Sequence, residues 1–295
     1  MGIYLVIFLF FKSTFGASCC GGGSSMPSLI TGDVKTQVSA VASNSATTEQ
    51  TDSDGNLIGV RNSQVRESLV LSGSYLLGSY WQIGVTLPLI KNTTKTQGRE
   101  ESSSGLGDIS LQAAYEFLPE LGYNPWKPRG FLFFEQSFPT SPSTYDANNP
   151  LRTDSRGAGL ASTSIGLAFI KTYPSWDWLG SVKLQHFYQR TFSEPQEMKV
   201  AIKPSWSAMI GAGKSLSDFR LGLNLTTTHM GAREITGFSK AQKMITTAWS
   251  TNLSYMIAEE SSLSLSYSDQ SLLKPSQNSP LLKTLALTFT TFSPL

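Results

Sequence analysis

Between Leu69 and Phe289, apolar residues return at every second position in one segment after another, and no other feature of the chain limits its fold so strongly. The plainest run is Ser262-Leu263-Ser264-Leu265-Ser266-Tyr267-Ser268, where a serine separates each apolar residue from the next. A strand turns successive side chains to opposite faces, so this spacing makes one face apolar and the other hydroxylated. The same alternation marks Leu69, Leu71, Gly73 and Tyr75; Trp81, Ile83, Val85, Leu87 and Leu89; and Ile109, Leu111, Ala113, Tyr115 and Phe117. It continues at Val200, Ile202, Pro204, Trp206 and Ala208; at Phe219, Leu221, Leu223 and Leu225; at Ile245, Thr247, Trp249, Thr251, Leu253 and Tyr255; and at Leu285, Leu287 and Phe289. Weaker alternation covers Asp33 to Ser43, Gly130 to Phe138, Ser162 to Tyr173 and Trp178 to Thr191, which brings the strands to twelve.

The connections sort by length. Short links join Leu77 to Tyr80, Tyr173 to Trp178, Lys214 to Phe219 and Ala258 to Ser262, with Pro119 to Pro128 a longer member of this class. Between them fall longer polar links: Asn44 to Gln64, Lys91 to Ser104, Pro139 to Ala158, Ser193 to Glu197, Thr236 to Gln242 and Ser271 to Pro280. An even set of strands with short turns at one end and long loops at the other is the signature of an outer-membrane barrel. The expected fold is therefore all-β, a transmembrane antiparallel β-barrel of about 12 strands over residues 29–295, with both ends of the chain on the periplasmic side. In hydrocarbon every backbone N–H and C=O must be paired internally, which a closed sheet achieves and an open-edged one does not. Aromatics near strand ends, among them Tyr80, Trp81, Phe117, Phe131, Tyr173, Trp176, Phe187, Tyr188, Tyr255 and Phe292, are expected to form girdles at the two interfaces.

Composition agrees with a lipid-facing surface: 40% of the residues are hydrophobic and 15% charged, against the roughly 25% charge of ordinary soluble domains. A net charge of +2, with the basic residues scattered, excludes nucleic acid as an expected partner. Residues 1–18 read as a signal peptide, because Ile3 to Phe11 is apolar but too short to span a bilayer. Gly16-Ala17-Ser18-Cys19-Cys20 resembles a bacterial lipobox without its usual leucine, so Cys19 or Cys20 is a candidate for lipidation, with simple cleavage near Ser18 as the alternative. Residues 19–28 read as a flexible Gly/Ser leader, and the expected location is the bacterial outer membrane, with its lipid as partner.

Little in the chain points to catalysis. His186 and His229 are the only histidines, which leaves few candidates for a general base. The arrangement of the outer-membrane phospholipase, a serine two residues after its histidine, has no match, since Tyr188 and Gly231 hold those positions. No zinc-ligand spacing, phosphate loop or nucleophile elbow occurs, so no enzyme and no cofactor is expected. Interest passes to the inward face of the barrel. If apolar residues meet lipid, the opposite parity turns Gln112, Ala114 and Glu116 inward, with Glu135, Lys183 and Gln185 from neighbouring strands and Arg220 and Asn224 from another. In the strand from Trp178, Lys183 and His186 cannot both face inward without a bulge. A twelve-stranded barrel lies between those that fill their interior and those that leave an open channel. The expectation is a narrow pore for a small solute. A structural barrel presenting loops Asn44 to Gln64 and Pro139 to Ala158 is the rival, followed by a lipid-tethered periplasmic β-protein.

Val85-Thr86-Leu87-Pro88-Leu89, followed by Ser104-Gly105-Leu106-Gly107-Asp108-Ile109-Ser110-Leu111 and Tyr115, resembles the MetA-pathway-of-phenol-degradation family of outer-membrane proteins. Phe131 to Thr140, then Gly157-Ala158-Gly159 and Ser164-Ile165-Gly166-Leu167, extends the resemblance, with Ser141 where the family usually carries glycine. The match is confined mainly to Ile83 to Phe169. It implies a membrane barrel that passes small or aromatic compounds. On its own chemistry, Gly105-Leu106-Gly107-Asp108 reads as a backbone device: the glycines allow close strand approach and Asp108 bonds nearby amides, a lumen or ion site being the other reading.

Overall fold

The computed structural model describes residues 27–295 except 33, 61, 123, 194–196, 238–240, 274–275 and 295. The signal peptide and the candidate lipidation at Cys19 or Cys20 lie outside the described residues. Among the described residues there is no helix. Twelve wall strands run in chain order: β1 (Val34–Thr51), β2 (Ser63–Leu77), β3 (Trp81–Thr96), β4 (Ile109–Leu118), β5 (Arg129–Phe138), β6 (Ser162–Thr172), β7 (Trp176–Phe187), β8 (Ser205–Leu216), β9 (Phe219–Met230), β10 (Met244–Ala258), β11 (Ser261–Asp269) and β12 (Pro280–Pro294). Each pairs antiparallel with its neighbours, and β12 pairs back onto β1 from Val34↔Pro294 to Gln50↔Pro280, which closes the barrel. The wall is left without a free edge, as a bilayer requires.

Side chains obey the period of two. The rows Leu69, Leu71, Ile83, Leu87, Leu221, Leu223, Leu285 and Leu287 stand exposed on the outside, while their sequence neighbours Ser74, Gln82, Arg220 and Ala286 are buried within. That exterior is a lipid-facing surface. Aromatic contacts gather at the short-turn end, where Trp81 lies 4.8 Å from Tyr115, Phe117 6.0 Å from Phe169 and Phe219 4.8 Å from Tyr255. At the opposite end Trp206 stacks on His229 at 5.8 Å and His186 meets Tyr188 edge-on at 5.3 Å. Both histidines thus sit on outward-facing rows. Phe131 and Phe187, expected in the girdles, are instead buried in interior clusters, because they share the parity of Glu135 and Lys183. A depression of about 700 Å³ crosses the outer wall where Ala42 is small between Leu69, Leu89, Leu285 and Leu287.

The long-loop end is more structured than its polar sequence suggests. Lys91 to Ser104 is no loop: β3 continues into a hairpin with Arg99–Leu106, paired from Leu89↔Leu106 to Thr96↔Arg99. One extra residue separates that register from Thr86↔Ser110, a bulge at Gly107-Asp108 where the Gly107 N–H reaches the Pro88 carbonyl at 2.8 Å. The alternation from Val200 to Ala208 divides in two. Met198–Ile202 joins Arg190–Phe192 and Arg233–Ile235 in a separate three-stranded sheet, and β8 starts only at Ser205, after Pro204 has removed a donor. The strand expected to run to Thr191 stops at Phe187 for the same reason, since Arg190–Phe192 belongs to that small sheet. Tyr145, Leu160, Phe187, Phe192, Val200 and Ile202 form a core beneath it.

Candidate functional site

Among the described residues, two segments fold into the interior. The first is the stretch before β1. Leu29 and Ile30 are 3% and 1% exposed, and Leu29 packs in a cluster with Ala114, Phe131, Phe133, Ala168, Leu179 and Met209, side chains of β4, β5, β6, β7 and β8. Having no strand beside it, this segment takes its backbone hydrogen bonds from inward side chains. The Gln82 amide accepts from the Ile30 N–H at 2.8 Å and donates to the Ile30 carbonyl at 2.9 Å. The Ser28 carbonyl accepts from Ser74 Oγ at 2.8 Å and from Gln112 Nε2 at 3.1 Å, and the Ser28 N–H donates to Gln112 Oε1 at 3.2 Å. Arg129 donates to the Thr31 carbonyl. Gln112 lies flat over Gly84, where an added Cβ would stand 2.2 Å from its Nε2. Only glycine permits that approach.

The second segment is the connection from β5 to β6, residues 139–161. It folds into the mouth against the inward face of β3 and its hairpin. Asn92 Nδ2 donates to the carbonyls of Thr153 and Ser155 at 3.1 and 2.8 Å, Thr153 Oγ1 donates to Glu101 at 2.9 Å, and Arg156 donates to Ser103 and to the Leu106 carbonyl. Asp108 anchors the return, accepting from Ser141 Oγ at 2.7 Å and from the Ala158 N–H at 2.8 Å.

The seven polar residues singled out from parity all lie on the face opposite the exposed apolar rows. Glu116 is 4% exposed and receives both Nε and Nη2 of Arg129, at 2.7 and 2.8 Å. Arg220 pairs with Asp177. Lys183 stands 3.8 Å from Glu135. Gln185 Nε2 donates to Ser162 Oγ at 2.9 Å, and Asn224 Nδ2 approaches Ser250 Oγ at 3.4 Å. Gln112 belongs to the clamp already described. Lys183 is inward and His186 outward, so that strand needs no bulge. The sequence did not single out Gln82, Ser74, Asp177 or Arg129, whose parity was visible but whose partners depend on the register of nearby strands or on the interior segment. Among the described residues no cluster of His, Cys, Asp and Glu could hold a metal ion.

No protein-family model matches the chain, and no curated protein matches it, so the family likeness of the Ile83 to Phe169 region remains a resemblance of sequence. Solved structures do match. An outer-membrane channel from Pseudomonas putida F1 superposes with a TM-score of 0.75 at 14% identity, over 92% of this chain and 99% of that one, which shows the fold. The transport unit of the autotransporter AIDA-I from Escherichia coli and the monoaromatic hydrocarbon channel CymD give TM-scores of 0.49 and 0.44 at 11% and 10% identity, covering 88% and 89% of this chain and 90% of each of theirs. Likeness at that level carries no argument.

Proposed function

We propose that this chain is an outer-membrane channel that passes small solutes through a lumen narrowed from both ends. One observation supports this above the rest: a wall apolar outside and largely polar inside is partly filled by residues 27–32, which are held by side-chain hydrogen bonds and by the packing of Leu29. Such bonds are each worth about 1 kcal/mol net, so several of them fix the place of the segment in the lumen. The inward ion pairs compensate one another, so they set no strong ionic preference. The superposed channel is similar in fold, and the aromatic solutes implied by the family resemblance remain one candidate class.

The test is reconstitution of the full chain into planar bilayers, after a gel-mobility shift on boiling has shown a folded barrel. Discrete small conductance steps are expected. A barrel that shifts on boiling yet stays electrically silent would overturn the channel reading and leave a wall that presents its loops.

A further inference from the structure

The inward side chains divide the lumen into two unlike halves. From β4 to β9 they include the ion pairs Glu116–Arg129, Glu135–Lys183 and Asp177–Arg220, together with the apolar cluster that receives Leu29. From β10 to β12 they are uncharged and mostly hydroxylated, with Ala248, Met256 and Ala286 among them: every inward position between Ser262 and Ser268 is serine, and β12 answers with Thr284, Thr288 and Thr290. The hydroxyls bond among themselves, Ser264 Oγ donating to Ser254 Oγ at 2.7 Å. Two buried acceptors in this wall have no partner among the described residues. They are Asn252 Oδ1 and Thr288 Oγ1, on residues 3% and 8% exposed. They sit one rung apart, since Ser264 faces Ser254 and Thr288 while Ser266 faces Asn252. Asn252 Oδ1 lies over Gly222, where an added Cβ would be 2.2 Å away, so a side chain at that position would displace it.

An unpaired buried acceptor is costly unless water or a solute supplies the donor. A hydroxyl both gives and receives, so a row of them can exchange bonds with a solute that carries the same group. A charged solute would shed its water here and find no countercharge; an apolar one would leave the row unpaired. We infer that the solute path runs along the hydroxyl wall of β10–β12, and that it favours small uncharged solutes bearing hydroxyl groups, such as polyols and sugars. The inference rests on the channel reading and adds to it a path and a solute class.

The experiment measures swelling of liposomes containing the full chain, with arabinose, its anionic oxidation product arabinonate, and potassium chloride as probes. Arabinose is expected to enter faster than arabinonate. Thr288→Val, which keeps the shape and removes the hydroxyl, is expected to slow arabinose about five-fold, the effect of one lost hydrogen bond, as is Ser266→Ala. Ser164→Ala, on the other half of the lumen, should leave the rate unchanged. All variants are checked for the boiling-dependent mobility shift. If salt passes but arabinose does not, or if neither wall variant changes arabinose entry, the path falls while the channel stands. If neither salt nor arabinose crosses with the parent protein, the channel reading falls and the path with it.

Discussion

Gln82 supplies one residue of an isolated segment with what a neighbouring strand would otherwise provide, both a donor and an acceptor for Ile30. Replacing it with alanine leaves the Ile30 N–H and C=O without that partner in a buried place. The predicted result is faster exchange of the Ile30 amide proton and a larger or more frequent conductance step, with the barrel still shifting on boiling. An unchanged exchange rate would contradict this role. Arg129 carries a second test. Its guanidinium meets buried Glu116 in two bonds and also holds the Thr31 carbonyl. Arg129→Ala strands a buried carboxylate, a loss of about 3–5 kcal/mol that should appear as a lower denaturant midpoint, partly recovered by the double change with Glu116→Gln. Parity in the sequence was sufficient to turn Glu116, Lys183 and Arg220 to one face. It could not name Arg129 or Asp177 as partners, because such pairs depend on register across strands. Nor did anything before β1 mark Leu29 as interior, since its apolar partners come from five later strands.

The wall strands were legible because lipid requires apolar residues on every outward position, and that demand writes a period of two into the chain. Elements beyond the bilayer need no lipid-facing row and can lose that mark. Arg99–Leu106, with sequence REESSSGL, forms a strand that no alternation announces. The small sheet formed by Arg190–Phe192, Met198–Ile202 and Arg233–Ile235 has one buried face and shows in the alternation of Val200 and Ile202, but its strands are only three to five residues long and that alternation runs on into β8. At the short-turn end, the connection 119–128 is held by Glu120, which pairs with Lys171 and accepts the Asn124 N–H at 3.1 Å. Burial raises the Glu120 carboxyl, but the Lys171 and Asn124 hydrogen bonds outweigh it and hold the group below the usual glutamate value. A carboxyl depressed in the folded state adds stability above its unfolded pKa and loses it as pH falls through the folded one. This turn is therefore predicted to loosen on acidification below the ordinary glutamate range, seen as increased protease cutting within 119–128. Glu120→Gln should remove most of that pH dependence.

For the molecule as a whole, closure of β12 onto β1 makes a container, and what fills it decides what it does. Residues 27–32 lean on β1 to β8 and residues 139–161 cover the mouth above β3; Ser276 and Ser279 of the connection into β12 bond to Thr247 and Thr246 at one end of β10, and the rest of the side from β10 to β12 is the less occupied one. The barrel was readable from loop sorting and alternation; its occupants were not, because neither carries a periodic pattern and each is held by contacts remote in sequence. The most direct measurement compares single-channel conductance of the parent protein with that of a variant lacking residues 27–31, in the same bilayer and salt. A channel narrowed by this segment predicts small steps for the parent and clearly larger, steadier ones for the deletion. Equal conductances would contradict the account.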